Sequence, residues 1–195
     1  ANGSFESGLS GWATAGDAGT VATDNTLTAT DGVTIAKFNA SNTANNGVLS
    51  QTIATVSGTT YLVSFDMGVL AFNTSQQSLL VAATGTGTLN SATHSLRGIG
   101  NGNIVWSAKT FTFTANSSST TLSFSDKSTT GSAIDLLLDN VRAALEETGL
   151  APWSLQLEVT EREVMRDPKG SLALMQMLRR TGVRLAMDDF GTGTS

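Results

Sequence analysis

Tyr61-Leu62-Val63-Ser64-Phe65-Asp66-Met67 puts a large apolar side chain at every second position. Successive side chains of a strand point to opposite faces, so this period of two predicts one buried and one wet face. Working outward, Thr110-Phe111-Thr112-Phe113-Thr114 alternates strictly, and Thr121-Leu122-Ser123-Phe124-Ser125 repeats the pattern. The wet positions carry Thr and Ser, which suit strands without adding charge. Turn signals separate the runs at Ser57-Gly58, Gly85-Thr86-Gly87, Gly100-Asn101-Gly102 and Asn116-Ser117-Ser118. Short strands with regular turns and no long helical period predict an antiparallel sandwich or jelly roll.

Composition bounds the function. The chain has 195 residues, 14% of them charged, with a net charge of −5 and no cysteine. Globular chains average about 25% charged residues. The acidic balance offers no basic footprint for nucleic acid. Without cysteine there is no disulfide framework, thiolate zinc site or thiol nucleophile. No apolar run approaches the ~18 residues of a membrane span. The opening Ala1-Asn2-Gly3 shows no signal peptide, which suggests a processed or trimmed product.

The average hides a seam after Asn140. Residues 1–140 hold eight acids and four bases; residues 141–195 hold the other eight acids and seven bases. Both prolines and four of the five methionines also lie in the second part. There the periodicity changes. Asp167 is an expected N-cap, Pro168 an expected first helical residue and Gly182 the residue past the end. Leu155–Thr160 and Val183–Met187 flank that helix as strands, the order of a βαβ unit. A shorter helix is expected over Val141–Thr148, although Val141 also continues the alternation of Leu137 and Asp139.

The first part resembles carbohydrate-binding-module and galactose-binding-like jelly rolls. The resemblance is carried by Asn2-Gly3-Ser4-Phe5-Glu6-Ser7-Gly8-Leu9-Ser10-Gly11-Trp12, by Leu49–Ile53 with Gly58–Asp66, and by Ile134-Asp135-Leu136-Leu137-Leu138-Asp139-Asn140-Val141. It implies a mainly-β sandwich over 1–141 that binds glycan or extracellular matrix, secreted or on a bacterial cell surface. A structural or adhesive subunit that self-associates through uncharged edge strands is the alternative. Sugar binding needs exposed aromatic faces together with amides and carboxylates for the hydroxyls. Tyr61, Phe72 and Trp106 are the stacking candidates, with core packing the competing role for Trp106 and the expected one for Trp12. Related jelly rolls hold a structural calcium where the first and last strands meet. Glu6 and Asp139 match those strands and would supply hard carboxylate oxygens; the alternative makes them solvated edge acids. His94, the lone histidine, is expected in a loop, outside any metal or catalytic role.

The second part, 142–195, resembles an EAL-type cyclic-di-GMP phosphodiesterase. Glu146–Leu150, Leu157-Glu158-Val159-Thr160-Glu161 and Gly182-Val183-Arg184-Leu185-Ala186-Met187-Asp188-Asp189-Phe190-Gly191-Thr192-Gly193 carry it. The resemblance implies that Glu158, Asp188 and Asp189 hold Mg²⁺ or Mn²⁺. The Glu-Ala-Leu motif and the remaining site residues of that family are missing, and its barrel needs ~250 residues. The expectation is therefore a small βα appendage, an inactive remnant with no enzymatic function. The abrupt junction suggests a recombined, fused or misassembled gene product.

Overall fold

The computed structural model describes residues 2–39 and 45–145, and the backbone of two further strands, Gln156–Thr160 and Arg184–Asp188. The chain divides into two compact units, Ala1–Glu146 and Glu147–Ser195.

The first unit is an antiparallel jelly-roll β-sandwich, with no helix among the described residues. One sheet contains β1 (Ala13–Ala15), β4 (Val48–Ala54), β9 (Ser119–Asp126), β6 (Gln76–Gly85) and β7 (Gly87–Arg97), in that spatial order. The other contains β2 (Ala18–Ala22), β3 (Thr34–Phe38), β10 (Ile134–Leu145), β5 (Thr60–Ala71) and β8 (Asn103–Thr114). The three runs with strict alternation lie in β5, β8 and β9. Along β5 the residues Tyr61, Val63, Phe65, Met67, Val69 and Ala71 are buried, as the period predicts.

The core between the sheets is aromatic. Phe65 meets Phe124 edge-on at 5.4 Å between ring centroids, and Trp12 sits 5.3 Å from Phe5 and 5.9 Å from Phe124. Such tilted and edge-on pairs add about 0.5–1.5 kcal/mol beyond their burial. The Trp12 indole N–H donates to the Asn2 carbonyl at 2.8 Å, so the ring enters the core with its polar edge satisfied.

Two features depart from simple alternation. The helix expected from Val141 does not form over Val141–Leu145, which continue β10 as strand. After an irregularity between Asp139 and Arg142, Arg142 to Leu145 pair with Ser64 to Tyr61. A third of β5, Tyr61 to Ser64, would otherwise lose its partner on that side, and unpaired backbone groups within a sheet are costly. The rest of that short helix and the helix over 167–182 lie outside the described residues.

The second departure is that Leu136, Leu137 and Leu138 are all buried, so β10 is covered on both faces. Leu137 and Ile35 point away from the inter-sheet core and pack with Leu27 under the segment that links β2 to β3. That segment is pinned by carboxylates. Asp139 Oδ2 accepts from the Thr30 and Asp31 amides at 2.8 and 2.9 Å and from the Thr30 hydroxyl at 3.0 Å. Its Oδ1 accepts from the Asn140 amide at 2.7 Å. Glu6 Oε1 accepts from the amides of Val33 and Thr34 at 2.9 and 2.8 Å.

In the second unit, β11 (Gln156–Thr160) and β12 (Arg184–Asp188) pair in parallel, the strand order expected of a βαβ unit.

Asp139→Ala should lower unfolding stability by about 3 kcal/mol, because it strands partly buried amide donors. Asp139→Asn keeps an acceptor and removes a buried charge, so it should cost less than half as much. Chemical denaturation of both variants checks this; equal losses would contradict the arrangement.

Candidate binding cleft

The outer face of the β2-β3-β10-β5-β8 sheet is divided by the strap Thr23–Val33. Asp24 Oδ1 folds the start of the strap by accepting from the amides of Thr26 and Leu27, at 2.7 and 2.8 Å. Those hydrogen bonds hold the Asp24 carboxyl below its ordinary pKa. Further along, the Trp106 indole N–H donates to the Thr28 carbonyl at 2.9 Å. The Trp106 ring lies over Gly68 on the neighbouring strand, where any Cβ would strike it.

Beyond the strap the same face opens into a cleft of about 590 Å³, with Lys37, Asn39, Leu70, Phe72, Ser132 and Asp135 in its wall. Lys37 on β3 and Asp135 on β10 form an ion pair, Nζ to Oδ2 3.1 Å. The other Asp135 oxygen, Oδ1, is buried without a hydrogen-bond partner. Burial pushes the Asp135 carboxyl above its ordinary pKa; Lys37 opposes that rise and the Asp17 charge adds to it.

The cleft walls are fixed by side-chain amides. Asn39, at φ +59°, donates to the Gly131 carbonyl at 2.8 Å, and Asn45 donates to the Ser128 carbonyl at 3.1 Å. Gly131 packs so closely on both side chains that a Cβ there would overlap them. Asn73 donates to the Ser132 carbonyl at 3.1 Å while accepting from the Ser75 amide at 2.9 Å. Phe72 stands at the rim, 70% exposed, held through its own amide by the Ala133 carbonyl at 2.9 Å.

The three stacking candidates do not converge. Phe72 is in the cleft. Tyr61 is only 7% exposed, stacked on Phe113 at 5.3 Å and 10°, with its hydroxyl accepting from the Val56 amide at 2.9 Å. It is a core residue whose polar tip has found a backbone donor, and no face is left for a sugar. Trp106 is partly buried, its ring on Gly68 and its N–H already spent on the strap. Lys37 and Asp135 are not among the candidate residues read from the sequence. One signal was present: Lys37 is the only Lys or Arg before Arg97, and it sits in a strand.

The calcium expectation also meets a different geometry. Glu6 and Asp139 grip the same strap from two places, and the groups facing their oxygens are N–H and O–H donors. A cation needs oxygen lone pairs at those places, so the donor set does not fit one. Asp139, 0% exposed, is no solvated edge acid, whereas Glu6 is exposed. No cluster of three or more His, Cys, Asp or Glu suited to a metal occurs among the described residues. In the second unit the register sets Glu158 opposite Ala186 and Asp188 opposite Thr160. Asp189 lies outside the described residues.

Residues 2–143 match the model of a protein family of unknown function, DUF642. The chain belongs to the DUF642 family. The DUF642 match spans the sandwich from Asn2 into β10. A second family model, the EAL domain, matches residues 107–195 and overlaps it across β8 to β10. Among curated relatives, the cyclic di-GMP phosphodiesterase NbdA of Pseudomonas aeruginosa is 51% identical over 59 residues, 30% of this chain and 8% of NbdA. The bifunctional diguanylate cyclase/cyclic di-GMP phosphodiesterase MucR of the same organism is 49% identical over 59 residues, 30% of this chain and 9% of MucR. The chain thus spans less than a tenth of either relative.

Solved structures share the DUF642 sandwich. The K1 cleaved adhesin domain of Lys-gingipain from Porphyromonas gingivalis has a TM-score of 0.54 at 17% identity, covering 72% of this chain and 95% of that one. The C-terminal family 22 carbohydrate-binding module of Clostridium thermocellum Xyn10B has a TM-score of 0.53 at 19% identity, covering 76% and 96%. A family 61 module in complex with β-1,4-galactotriose has a TM-score of 0.52 at 17% identity, covering 74% and 96%. The carbohydrate-binding-module fold is therefore established for the first unit, and an EAL-like segment follows it.

His94 of the DUF642 sandwich is on β7, not in a loop. Its ring meets Phe65 edge-on at 5.2 Å, and its Nε2 is buried without a partner. Burial first, and then the Lys109 charge, hold its pKa below the ordinary 6.5. The unfolded chain therefore takes up a proton near that pH that the folded chain refuses. The stability contributed by neutral His94 is fully present above pH 6.5 and is lost as pH falls through that value toward the folded pKa. Asp135 and Asp139, both raised, act with the opposite sign: their cost is relieved as pH falls through their folded pKa values. The native chain should lose more thermal stability than His94→Leu between about pH 7.5 and pH 5.5, straddling the ordinary histidine pKa. A difference between the two that does not change with pH would contradict it.

Proposed function

We propose that the DUF642 sandwich is a noncatalytic, extracellular glycan-binding module, with the cleft beside Phe72 as its site. The observation that carries this reading is the exposed Phe72 ring at the rim of a cleft walled by fixed amides and an ion pair. A pyranose presents an apolar C–H face and a polar edge. Phe72 matches the first by stacking; Lys37, Asp135 and Ser132 match the second with donors and acceptors. The cleft volume is within the ~300–1,000 Å³ usual for small-ligand sites. The walls are held by hydrogen bonds before any ligand arrives, which lowers the ordering cost of binding. The shared fold with carbohydrate-binding modules supports the same reading.

The EAL-like segment is proposed to be an inactive remnant. Upstream of it the chain is a sandwich, so the opening barrel strand with its Glu-Ala-Leu motif has no place there. Glu158 and Asp188 are hard-oxygen residues of the type that holds Mg²⁺ or Mn²⁺, but parallel strands are normally stable only in larger sheets covered on both faces.

A glycan screen should return a binder whose affinity falls at least tenfold in Phe72→Ala, about 1.4 kcal/mol. The melting temperature should stay close to that of the native chain, because the ring is exposed. Unchanged binding by Phe72→Ala would place the site elsewhere.

A further inference from the structure

The Phe72 ring is 70% exposed, so its orientation needs a support. The support lies in the turn between β7 and β8. Ala71 and Asn103 stand opposite each other at the end of the β5–β8 ladder. Phe72 and Gly102 are the next residues outward, and the Gly102 amide donates to the Ala71 carbonyl at 2.9 Å. The main-chain and side-chain amides of Asn103 both donate to the Gly100 carbonyl at 3.1 Å, which closes the turn. A Cβ at Gly102 would stand 2.9 and 3.0 Å from Cε1 and Cζ of Phe72, inside van der Waals contact. The ring therefore lies over a residue that has no side chain. The same ladder repeats the device at Gly68, which is opposite Trp106 and covered by its ring. Phe72 lines the cleft and Gly102 does not, so the ring stands between the turn and the cleft.

We infer that Gly102 is a positioning residue of the glycan site: having no side chain, it gives the Phe72 ring a seat that leaves the opposite face open to a pyranose. The inference rests on the glycan reading and extends it to a residue that touches no ligand. An exposed ring can otherwise turn about its side-chain bonds, and ordering it on binding weakens affinity. A seat formed beforehand removes that cost. A larger residue at 102 would push on the far end of the ring, which can move, so the fold survives and the platform turns. Gly102 also holds φ +72°, which residues with a Cβ adopt only under strain. Gly100 separates the two effects. It holds φ +77° in the same turn, yet a Cβ there meets nothing nearer than the Phe72 carbonyl oxygen at 3.8 Å. Gly100→Ala and Gly102→Ala strain the backbone alike, and only Gly102→Ala displaces the ring.

The full chain carries the test, first without ligand. An aromatic ring displaces the resonances of protons above its face. The Gly102 α-protons should therefore resonate upfield of their usual position and return to it in Phe72→Leu. Unshifted α-protons would overturn the seat. Binding is then measured on an array of neutral, amino and uronic oligosaccharides of several linkages, and the tightest binder of that array is titrated. Gly102→Ala should weaken its binding about tenfold, and Gly100→Ala less than about twofold. In the Phe72→Ala background Gly102→Ala should add nothing, because no ring is left to move. Equal losses in the two glycine variants, or an undiminished loss in the Phe72→Ala background, would overturn the positioning and leave the glycan reading standing. An array with no binder of any class would overturn the glycan reading, and the α-proton shift would still decide the seat. The same shift decides it if Gly102→Ala fails to fold.

Discussion

The middle of β10, Leu136 to Asp139, is buried on both of its faces, and the arrangement of the sandwich around the site follows from that constraint. Leu136 and Leu138 face the inter-sheet core, while Leu137 faces outward and is as fully buried as they are. An outer-face leucine needs cover, and the strap between β2 and β3 provides it. A strap of main chain brings its own amides, which must be satisfied. Asp139 and Glu6 do that from the last strand and the first turn, and Trp106 holds the Thr28 carbonyl. The Asp139 carboxyl is raised above its ordinary pKa by burial even though four donors oppose the rise. It is a costly group retained where it closes a contact 109 residues long in sequence.

The strap also shapes the candidate site. By covering the middle of the outer face it leaves the end beside Phe72 as a separate cleft. Lys37 and Asp135 come to that end on adjacent strands, β3 and β10, so their separation is set by the sheet and not by a loop. The asparagines that fix the surrounding turns act on backbone carbonyls. A site built on strands and locked turns is preorganised.

The periodic part of the architecture was legible in the sequence. β5, β8 and β9 alternate because each has one face on the core, and period two reports that directly. What was not legible depends on partners distant in the chain. Asp139 and Glu6 stood as calcium ligands by resemblance, or as solvated edge acids, because a carboxylate's partner cannot be seen locally; the partners include amides of the strap. Tyr61 was a stacking candidate although it opens the alternating run of β5; its hydroxyl meets the Val56 amide and the ring stays inside. Val141–Leu145 matched a helix face, but β5 offered pairing along its whole length and the strand won. Phe72, an aromatic outside the alternating runs, lies exposed at the rim of the cleft. Lys37 and Asp135 were passed over because only the sheet brings them together.

The seam in composition coincides with a change of fold: a nearly uncharged antiparallel sandwich is followed by a parallel strand pair similar to phosphodiesterase sequences. The functional claim belongs to the sandwich, and amide chemical-shift mapping tests it most directly. Titrating the isotope-labelled chain with an oligosaccharide binder should move resonances of Lys37, Phe72 and Ser132–Asp135, and leave the amides of β7 and β9 in place. Shifts confined to the opposite sheet, or no shifts around Phe72 at saturation, would contradict the assignment of the cleft.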